Sequence, residues 1–403
     1  MMGNPLDTSR SRSNLPVAPV PILLIGVPGS RRTELFQAAL IRARKPAATV
    51  VSFIDLLRER TNIADLISTE TVVRVDSPGK DFETERALLH AGSKAAYEEH
   101  FASVTSVEVD RLEFERGRIL YPRQWYFGLC KALKIIESQL PDCYLMNNFQ
   151  DIALMFDKPR CQAVLTTNGI PVARNLGEIK SFDDLRQRMI ETGYARVFIK
   201  LAHGSSASGM IAYQTNGTKH RATTTVEVEK SGDKLRLYNS RRIRLYQSES
   251  EIGQLVDELC RHRVYVEQWL PKAGIDGRTF DLRIVVIAGR AAHTVVRLGR
   301  HPMTNLNLLG GRGNLEHVSD RIGSCGWANM QRTCEQVMTS CFPNSLYAGI
   351  DLRISPDFQH HQVLEVNAFG DLLPNVMCNG RDTYESEIVA ISPESLQKMC
   401  GLS

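Results

Sequence analysis

The chain has 403 residues, 43% hydrophobic and 23% charged, which is enough for two or three packed lobes. The formal net charge of +4 is too small to predict a nucleic-acid partner. No apolar run is long enough to cross a membrane or to form a good signal peptide. Nine scattered cysteines without a C-x-x-C pair favour reduced thiols, so we expect a cytoplasmic protein.

The first part of the chain predicts an α/β domain preceded by a tail. Residues 1–18 are rich in Ser, Arg, Asn and Pro, which predicts a flexible tail. Residues 21–26 and 48–53 are apolar and predict buried strands, and the helical periodicity of residues 33–43 lies between them. This β–α–β order predicts a parallel sheet in a domain that spans residues 19–150.

Two short motifs of this domain have more than one interpretation. The segment GVPGSRRT at residues 26–33 has no Gly-Lys pair, so it predicts a tight strand-to-helix turn rather than a P-loop. Arg123 and Trp125 lie where a helix begins. Either they line a cleft in which the arginine holds a carboxylate, or they form a packed helix start.

The second part of the chain predicts two further lobes, because strands there alternate with short helices. We place a central lobe at residues 151–262 and a C-terminal lobe at residues 263–403. Residues 196–201 predict a strand that leads into GSSASGM at residues 204–210, a small-residue loop whose backbone N–H groups can face an anion. Residues 216–248 predict a solvated hairpin and a third short strand, inserted in the central lobe.

Residues 347–354 and 362–367 predict the two strands of a β-hairpin that carries acids on one face. Side chains alternate along a strand, so we expect Asp351 to face Glu365 and Asn367 to share their side. The side chains expected on the opposite, core-facing side are Leu352, Leu364 and Val366.

Two facing carboxylates destabilise a sheet unless a cation lies between them. A hard divalent ion with oxygen ligands, Mg²⁺ or Mn²⁺, fits that gap. The alternative is an exposed strand face with ordinary solvated acids.

Five features follow one another in a fixed order. They are Lys158 at a helix start, Lys200 before the small-residue loop, Glu267 on a strand that stops at Pro271, Asp281-x-Arg283, and the acidic hairpin. Together they resemble the ATP-grasp superfamily, most closely its RimK-like carboxylate–amine ligase branch, over residues 157–374. The segment GIDLR…VLEVNAFGDL is similar to the metal hairpin of that branch. DSPGKDFE at residues 76–83 and YPRQWYFG at residues 121–128 resemble a group of bacterial ATP-grasp proteins, and this closer likeness names no substrate.

The resemblance implies an α/β (α+β) architecture, the ATP-grasp fold. An N-terminal parallel-sheet domain would precede two α+β lobes that sandwich ATP. The expected cofactors are ATP and two Mg²⁺ or Mn²⁺ ions, with Asp351, Glu365 and Asn367 as the metal ligands. The implied nucleotide-binding residues are Lys158, Lys200, Gly204, Ser205, Ser206, Ala207, Ser208, Gly209, Glu267, Gln268, Trp269, Leu270, Lys272 and Asp281.

The same resemblance assigns roles within that set. The lysines and the loop would contact phosphates, Glu267 and Leu270 would hold adenine through their backbone, and Lys272 or Asp276 would reach the ribose. Arg283 and Arg297 would grip the γ-phosphate or an acyl phosphate. Either Asn305 or Asn307 would lie near the same site, each one residue out of register with Gly310-Gly311.

The implied reaction joins a carboxylate to an amine through an acyl phosphate and releases ADP and phosphate. The substrates would be small-molecule, peptide or protein carboxylates and amines, with no nucleic-acid or membrane partner. One alternative is a kinase that phosphorylates a small-molecule hydroxyl in a basic pocket of Arg297, Arg300 and Arg312. Another is a non-catalytic nucleotide-binding protein. Two features depart from the family, namely Ala207 where many relatives have glycine and the long segment at residues 216–248.

Overall fold

The computed structural model describes residues 20–79, 81–205, 207–231, 234–305 and 310–391. The predicted tail at residues 1–18 lies outside these ranges, and so do Ser206 and Asn307. Among the described helices, none is long and apolar enough to cross a lipid bilayer. The strands are β1 (Ile22–Gly26), β2 (Thr49–Ser52), β3 (Val72–Val75), β4 (Tyr144–Leu145), β5 (Asn175–Ile179), β6 (Arg196–Leu201), β7 (Ile211–Thr215), β8 (His220–Ser231), β9 (Lys234–Tyr246), β10 (Val264–Gln268), β11 (Gly274–Ile275), β12 (Arg278–Ile287), β13 (Arg290–Gly299), β14 (Gly311–Arg312), β15 (Tyr347–Ile354) and β16 (His361–Asn367). The α-helices are α1 (Arg31–Arg42), α2 (Phe53–Leu57), α3 (Phe82–Glu98), α4 (Ser106–Asp110), α5 (Pro122–Gln139), α6 (Phe149–Phe156), α7 (Lys158–Thr167), α8 (Phe182–Thr192), α9 (Glu249–Cys260), α10 (Leu315–Gln336) and α11 (Thr383–Ala390), with a 3₁₀ turn at Ile63–Leu66 and a π turn at Val337–Cys341.

The N-terminal sheet has the strand order β2-β1-β3-β4 and is parallel throughout, as the β–α–β pattern predicts. All five residues of β1 are buried. The tight turn that follows β1 is closed by the Ser30 N–H, which donates to the Val27 carbonyl at 3.1 Å. The Ser30 hydroxyl then accepts from the Thr33 N–H at 3.3 Å and caps α1.

The central sheet is antiparallel and has the order β5-β10-β6-β7-β8-β9. Its β10 lies beyond the boundary at residue 262 that we placed between the two lobes, and that division remains a prediction. The hairpin predicted in residues 216–248 is present as the pair β8–β9, but the prediction of a separate third strand is wrong, and the pair is solvated only in part. A bulge between Thr224 and Val226 lets β9 pair with β8 as one continuous strand. Three side chains of the pair enter the lobe's core: Ala222, Val226 and Leu237.

The C-terminal sheet is also antiparallel, with the order β14-β13-β12-β15-β16 and with β11 paired to β12. All eight residues of β15 are buried. Helix α10 packs on β13, and the helical periodicity of the sequence predicts only its second part, from residue 328. Gly323, at a φ of +76°, interrupts the helical backbone and hides the first part of this helix from periodicity.

The register of the hairpin β15–β16 is the predicted one at the acids. Asp351 pairs with Glu365, and Gly349 pairs with Asn367. A bulge after this pair places Leu352 opposite Val363 instead of Leu364. The prediction that Leu364 enters the core is therefore wrong, because one extra residue reverses the alternation. Val363 is 2% exposed and takes the core position, whereas Leu364 is half-buried.

A fully buried arginine joins the N-terminal domain to the C-terminal lobe. Arg74 on β3 donates to Asp76 at 3.0 Å, to Asp371 at 2.6 Å, and to Glu387 of α11. Arg32 also donates to Asp371. We call these five residues the interlobe cluster. The guanidinium of Arg74 lies between three aromatic rings, those of Phe36, Tyr347 and Tyr384.

Candidate active site

A cleft of about 800 Å³ opens where the three sheets meet. Its walls come from the turn after β1, the start of α7, the loop after β6, and strands β12, β13, β15 and β16. The predicted site residues that line it are Lys158, Gly204, Ser205, Ala207, Ser208, Arg283, Arg297, Asn305, Asp351, Glu365 and Asn367.

Asp351 is held by two arginines from the neighbouring strands. Arg283 stands opposite it on β12 and donates to Asp351 through Nε and through Nη2, the latter at 3.0 Å from Oδ2. Arg297 on β13 reaches the same Oδ2 at 3.0 Å. Burial alone would raise the pKa of Asp351, but the charges of the two arginines outweigh it and hold the pKa below its usual range. The carboxylate is therefore ionised.

A second carboxylate, Asp281, lies behind the cleft and anchors Arg297. It accepts from Arg297 Nε at 2.6 Å, from Lys272 Nζ at 2.8 Å, and from the Thr304 hydroxyl. Burial would raise the pKa of Asp281, yet Arg297 and Lys272 lower it to about 2. Burial lowers the pKa of Lys272, although Asp281 opposes that shift. Lys272 is thus part of a buried ion network, and Asp276 lies in an exposed turn between β11 and β12.

Lys158 opens α7 and forms an ion pair with Glu365 across the cleft. Its backbone N–H donates to the Ala202 carbonyl at 3.1 Å, so the helix start is fastened to the end of β6. The Asp157 side chain caps the helix by accepting from the Arg160 N–H at 3.2 Å. Local capping and the β6 contact therefore set where the ammonium group lies.

Lys200, Glu267 and Tyr265 share one face of the central sheet, because Lys200 pairs with Tyr265 across β6 and β10. Lys200 and Glu267 form an ion pair outside the cleft. The N–H groups of Gln268 and Trp269 donate to the carbonyls of Arg174 and Arg196.

Between this face and the hairpin β15–β16 lies a cavity of only about 20 Å³, lined by Tyr265, Lys158 and Glu365 among others. Adenine is larger than this space. Leu270 follows Gln268 and Trp269, whose N–H groups are already engaged, and its side chain is half-buried.

The small-residue loop forms one wall of the cleft and is tied down by two threonines of β8. Thr225 donates to the Ala207 carbonyl at 2.8 Å, and Thr224 donates to the Met210 carbonyl at 2.7 Å. Ala207 adopts a φ of +60°. This left-handed conformation costs a non-glycine residue about 1–2 kcal/mol. The alanine is therefore strained where a glycine would not be.

The residues present fit a hard divalent cation. Asp351 and Glu365 are directly opposed, and Asn367 donates its Nδ2 to the Gly349 carbonyl at 3.3 Å, which turns its amide oxygen the other way. Carboxylate and amide oxygens are the donors that Mg²⁺ takes. The described residues contain no cluster of three or more His, Cys, Asp or Glu side chains that could hold a metal by itself. Asp351, Glu365 and Asn367 are too few ligands for such an ion by themselves, so further oxygen ligands would complete the site.

Two aromatic residues of the cleft are absent from our sequence prediction, Phe156 and Phe369. Both residues are close in sequence to predicted site residues, because Phe156 lies just before Lys158 and Phe369 lies just after Asn367. That proximity is the feature of the sequence that could have identified them. Trp125 does line the cleft, as one of the two interpretations held. Arg123 instead grips Glu99 with Nε and Nη2 and is buried outside the cleft wall, which is the packed helix start.

The fold is shared with solved enzymes of low sequence identity. PsnB, an ATP-grasp ligase complexed with a minimal precursor, has a TM-score of 0.51 and 14% identity, over 93% of this chain and 99% of PsnB. PurK, an N5-carboxyaminoimidazole ribonucleotide synthetase in its ADP complex, has a TM-score of 0.53 and 12% identity, over 93% of this chain and 78% of PurK. The macrocyclase MdnC from Microcystis aeruginosa MRC, bound with the precursor peptide MdnA, has a TM-score of 0.50 and 11% identity, over 92% and 98%.

No protein-family model and no curated protein matches the sequence significantly. The structural likeness and the three sheets described above nevertheless agree with the architecture that the ordered motifs predict. The chain therefore has the ATP-grasp fold.

Proposed function

We propose that this protein is an ATP-dependent ligase that joins a carboxylate to an amine through an acyl phosphate. The observation that carries the proposal is one cleft wall in which Lys158, Arg283 and Arg297 surround Asp351 and Glu365. Cations and carboxylates held this close suit a transferring phosphoryl group, whose negative charge must be neutralised while a substrate oxygen attacks its phosphorus. Gly204, Ser205, Ala207 and Ser208 of the small-residue loop line the same cleft.

In the proposed reaction, a substrate carboxylate oxygen attacks the γ-phosphorus of ATP and the bond to the bridging oxygen of ADP breaks. An amine then attacks the acyl carbon, phosphate leaves with the acyl–oxygen electron pair, and the amine loses its proton. Arg283 and Arg297 orient the carboxylate and stabilise its developing charge. Lys158 releases Glu365 and turns to the phosphates when nucleotide binds. The chain needs no nucleophile of its own, and its role is to position and to neutralise.

Asp351, Glu365 and Asn367 would hold two Mg²⁺ or Mn²⁺ ions with nucleotide oxygens as the remaining ligands. When bound, such ions supply charge neutralisation at the phosphates. Of the remaining predicted nucleotide residues, Lys200 pairs with Tyr265, which lines the small cavity together with Lys158 and Glu365. In this proposal the adenine enters there after Lys158 and Glu365 separate, since a space of about 20 Å³ is too small for it.

Peptides belong among the candidate substrates because PsnB and MdnC, which share the fold, are bound to a precursor and a precursor peptide. The kinase alternative relied on Arg297, Arg300 and Arg312. Arg300 and Arg312 are exposed and do not line the cleft, so Arg297 is left without the two other arginines of the basic pocket that a phosphorylated hydroxyl would need. The ligase is therefore the better supported of the two.

Trapping with hydroxylamine separates these functions, because an acyl phosphate yields a hydroxamate and a phosphorylated hydroxyl does not. A panel of carboxylates with ATP, Mg²⁺ and hydroxylamine should give a hydroxamate together with phosphate release. Glu365→Ala should lower that rate by about 100-fold or more, since charge stabilisation at the transferring group is lost. Glu137→Ala, at an exposed position of α5, is the control. Phosphate release without hydroxamate, or full activity in Glu365→Ala, would refute the proposal.

A further inference from the structure

Three aromatic side chains from separate parts of the chain form a row along the cleft. The ring centroids of Trp125 and Phe156 are 5.6 Å apart, and those of Phe156 and Phe369 are also 5.6 Å apart. All three rings line the cleft and are half-buried, so each packs on the core with one side and faces the cleft with another. We call these residues the aromatic row.

The row is held rigidly with respect to the charged residues. A Cβ on Gly349 would lie 2.6 Å from the Gly370 Cα, so the loop after β16 rests directly on the backbone of β15. Arg32 Nη2 donates to the Phe369 carbonyl at 2.8 Å. Phe156 ends α6 immediately before the cap of α7. The backbone that carries Phe369 and Phe156 is therefore held in place before any ligand arrives, which lowers the entropic cost of binding.

The aromatic row is continuous with the proposed reaction centre. Phe369 follows Asn367 by two residues, and Arg283 Nη1 approaches the Gly370 carbonyl at 3.4 Å. A carboxylate that lies against Arg283 would therefore be beside the backbone that carries Phe369, and the ring of Phe369 is continued along the cleft by Phe156 and Trp125. The group attached to that carboxylate must extend over the row or turn away into solvent.

We propose that the aromatic row binds the side chain of the carboxylate substrate, and that this side chain is aromatic or bulky aliphatic. The inference rests on the ligase function proposed above and deepens it by naming the substrate class. Apolar area removed from water contributes about 25 cal/mol per Å², and aromatic neighbours with tilted rings add to it. Met155 and Leu372 extend the same apolar surface within the cleft. A small or charged side chain would leave these rings in contact with water.

Binding can be measured without turnover. Titration calorimetry with N-acetyl-L-phenylalanine and N-acetyl-L-alanine, in the presence of Mg²⁺ and a non-hydrolysable ATP analogue, compares the two side chains on one backbone. The phenylalanine derivative should bind about 10-fold more tightly or better, as expected for an apolar pocket. In Trp125→Ala that preference should shrink by about 10-fold, while nucleotide affinity stays within about 2-fold.

Trp327→Ala is the matched control. Trp327 is half-buried against the same core but lies on α10, outside the cleft wall, so its truncation tests for a merely structural effect. Equal losses in Trp125→Ala and Trp327→Ala would overturn the proposal. So would tighter binding of the alanine derivative, or binding of neither.

Hydroxamate formation with the same two acids tests the function separately. Binding of the phenylalanine derivative without any hydroxamate would leave the subsite standing and remove the ligase. Hydroxamate formation that favours alanine would leave the ligase standing and remove the subsite. Phe369→Leu, which keeps an apolar side chain, should retain more of the preference than Phe369→Ala, because the effect comes from apolar contact.

Discussion

Two clusters of buried charge in this molecule are built from the same residue types and differ in their balance. The cleft cluster has three cations, Lys272, Arg283 and Arg297, around two carboxylates, Asp281 and Asp351. The interlobe cluster has the reverse composition, two arginines and three carboxylates: Arg32, Arg74, Asp76, Asp371 and Glu387.

The pKa directions follow that balance. Burial raises the pKa of Glu387 well above its usual value and also raises the pKa of Asp76, and the arginines offset only part of each shift, so burial favours the protonated form of these two carboxyls. In the cleft cluster, both carboxylates have lowered pKa values despite their burial. A surplus of positive charge beside a cleft attracts an anion, whereas a surplus of buried carboxyl groups is neutralised by protonation. A cluster of buried charges therefore does not by itself indicate a binding site. A net positive charge beside an open cleft does.

The largest expected effect comes from breaking the interlobe cluster. Arg74→Met would leave three carboxyl groups buried without their shared cation, and removing one partner of a buried ion pair costs about 3–5 kcal/mol. The free energy of unfolding in urea should fall by that amount. Arg290→Met, which removes an exposed arginine 4.0 Å from Glu335, is the control and should leave the midpoint unchanged. An unaltered midpoint in Arg74→Met would show that the cluster does not hold the lobes together.

The cleft cluster should respond in the opposite way. Arg283→Met leaves Asp351 with Arg297, so we expect a smaller loss of stability than for Arg74→Met. The rate of phosphate release should nevertheless fall by about 10²–10³-fold, as it does when one preorganised donor is removed from a transition state. Arg300→Met, at the exposed end of β13, is the matched control. If Arg283→Met unfolds like Arg74→Met and keeps its rate, the two clusters have the same structural role.

The contrast also shows what the sequence could predict. Alternation along the two strands placed Asp351 opposite Glu365, because strand geometry and a short turn are local rules. The bulge at Leu364 could not be predicted in the same way, because a single extra residue in a strand does not change the amino-acid composition of the segment noticeably. The partners of Arg74 were not predictable from the sequence either. Asp371 and Glu387 lie about 300 residues further along the chain, and no local pattern pairs them.

Only part of the cleft was predicted, because some of its residues are likewise far apart in sequence. Lys158, Arg283 and Asp351 were found because a resemblance supplied their order, and the structure brings all three to one cleft. That resemblance says nothing about the row of aromatic rings. Its members come from α5, α6 and the loop after β16, and only tertiary packing brings them together.

The smallest expected effect concerns pH and tests the proton that the interlobe cluster retains. The pKa of Glu387 is raised in the folded protein, so the folded state holds a proton that the unfolded chain releases. Stability therefore falls as pH rises from the unfolded pKa toward the folded one, by up to about 1.4 kcal/mol for each unit that separates them. Glu387→Gln is neutral at every pH, so it should lose less stability than the wild type between about pH 5 and about pH 8.

Glu385→Gln on the same helix separates this effect from a general change in α11. The hydrogen bond from Arg42 lowers the pKa of Glu385, so this carboxyl stabilises the fold above its unfolded pKa and loses that contribution only as pH falls. The Glu385→Gln variant should consequently follow the wild-type slope between about pH 5 and about pH 8. If Glu387→Gln also follows it, Glu387 is ionised across this range and does not balance the charge of the interlobe cluster. The difference between the two clusters in the direction of their pKa shifts would then have to come from the lowered pKa values in the cleft cluster alone.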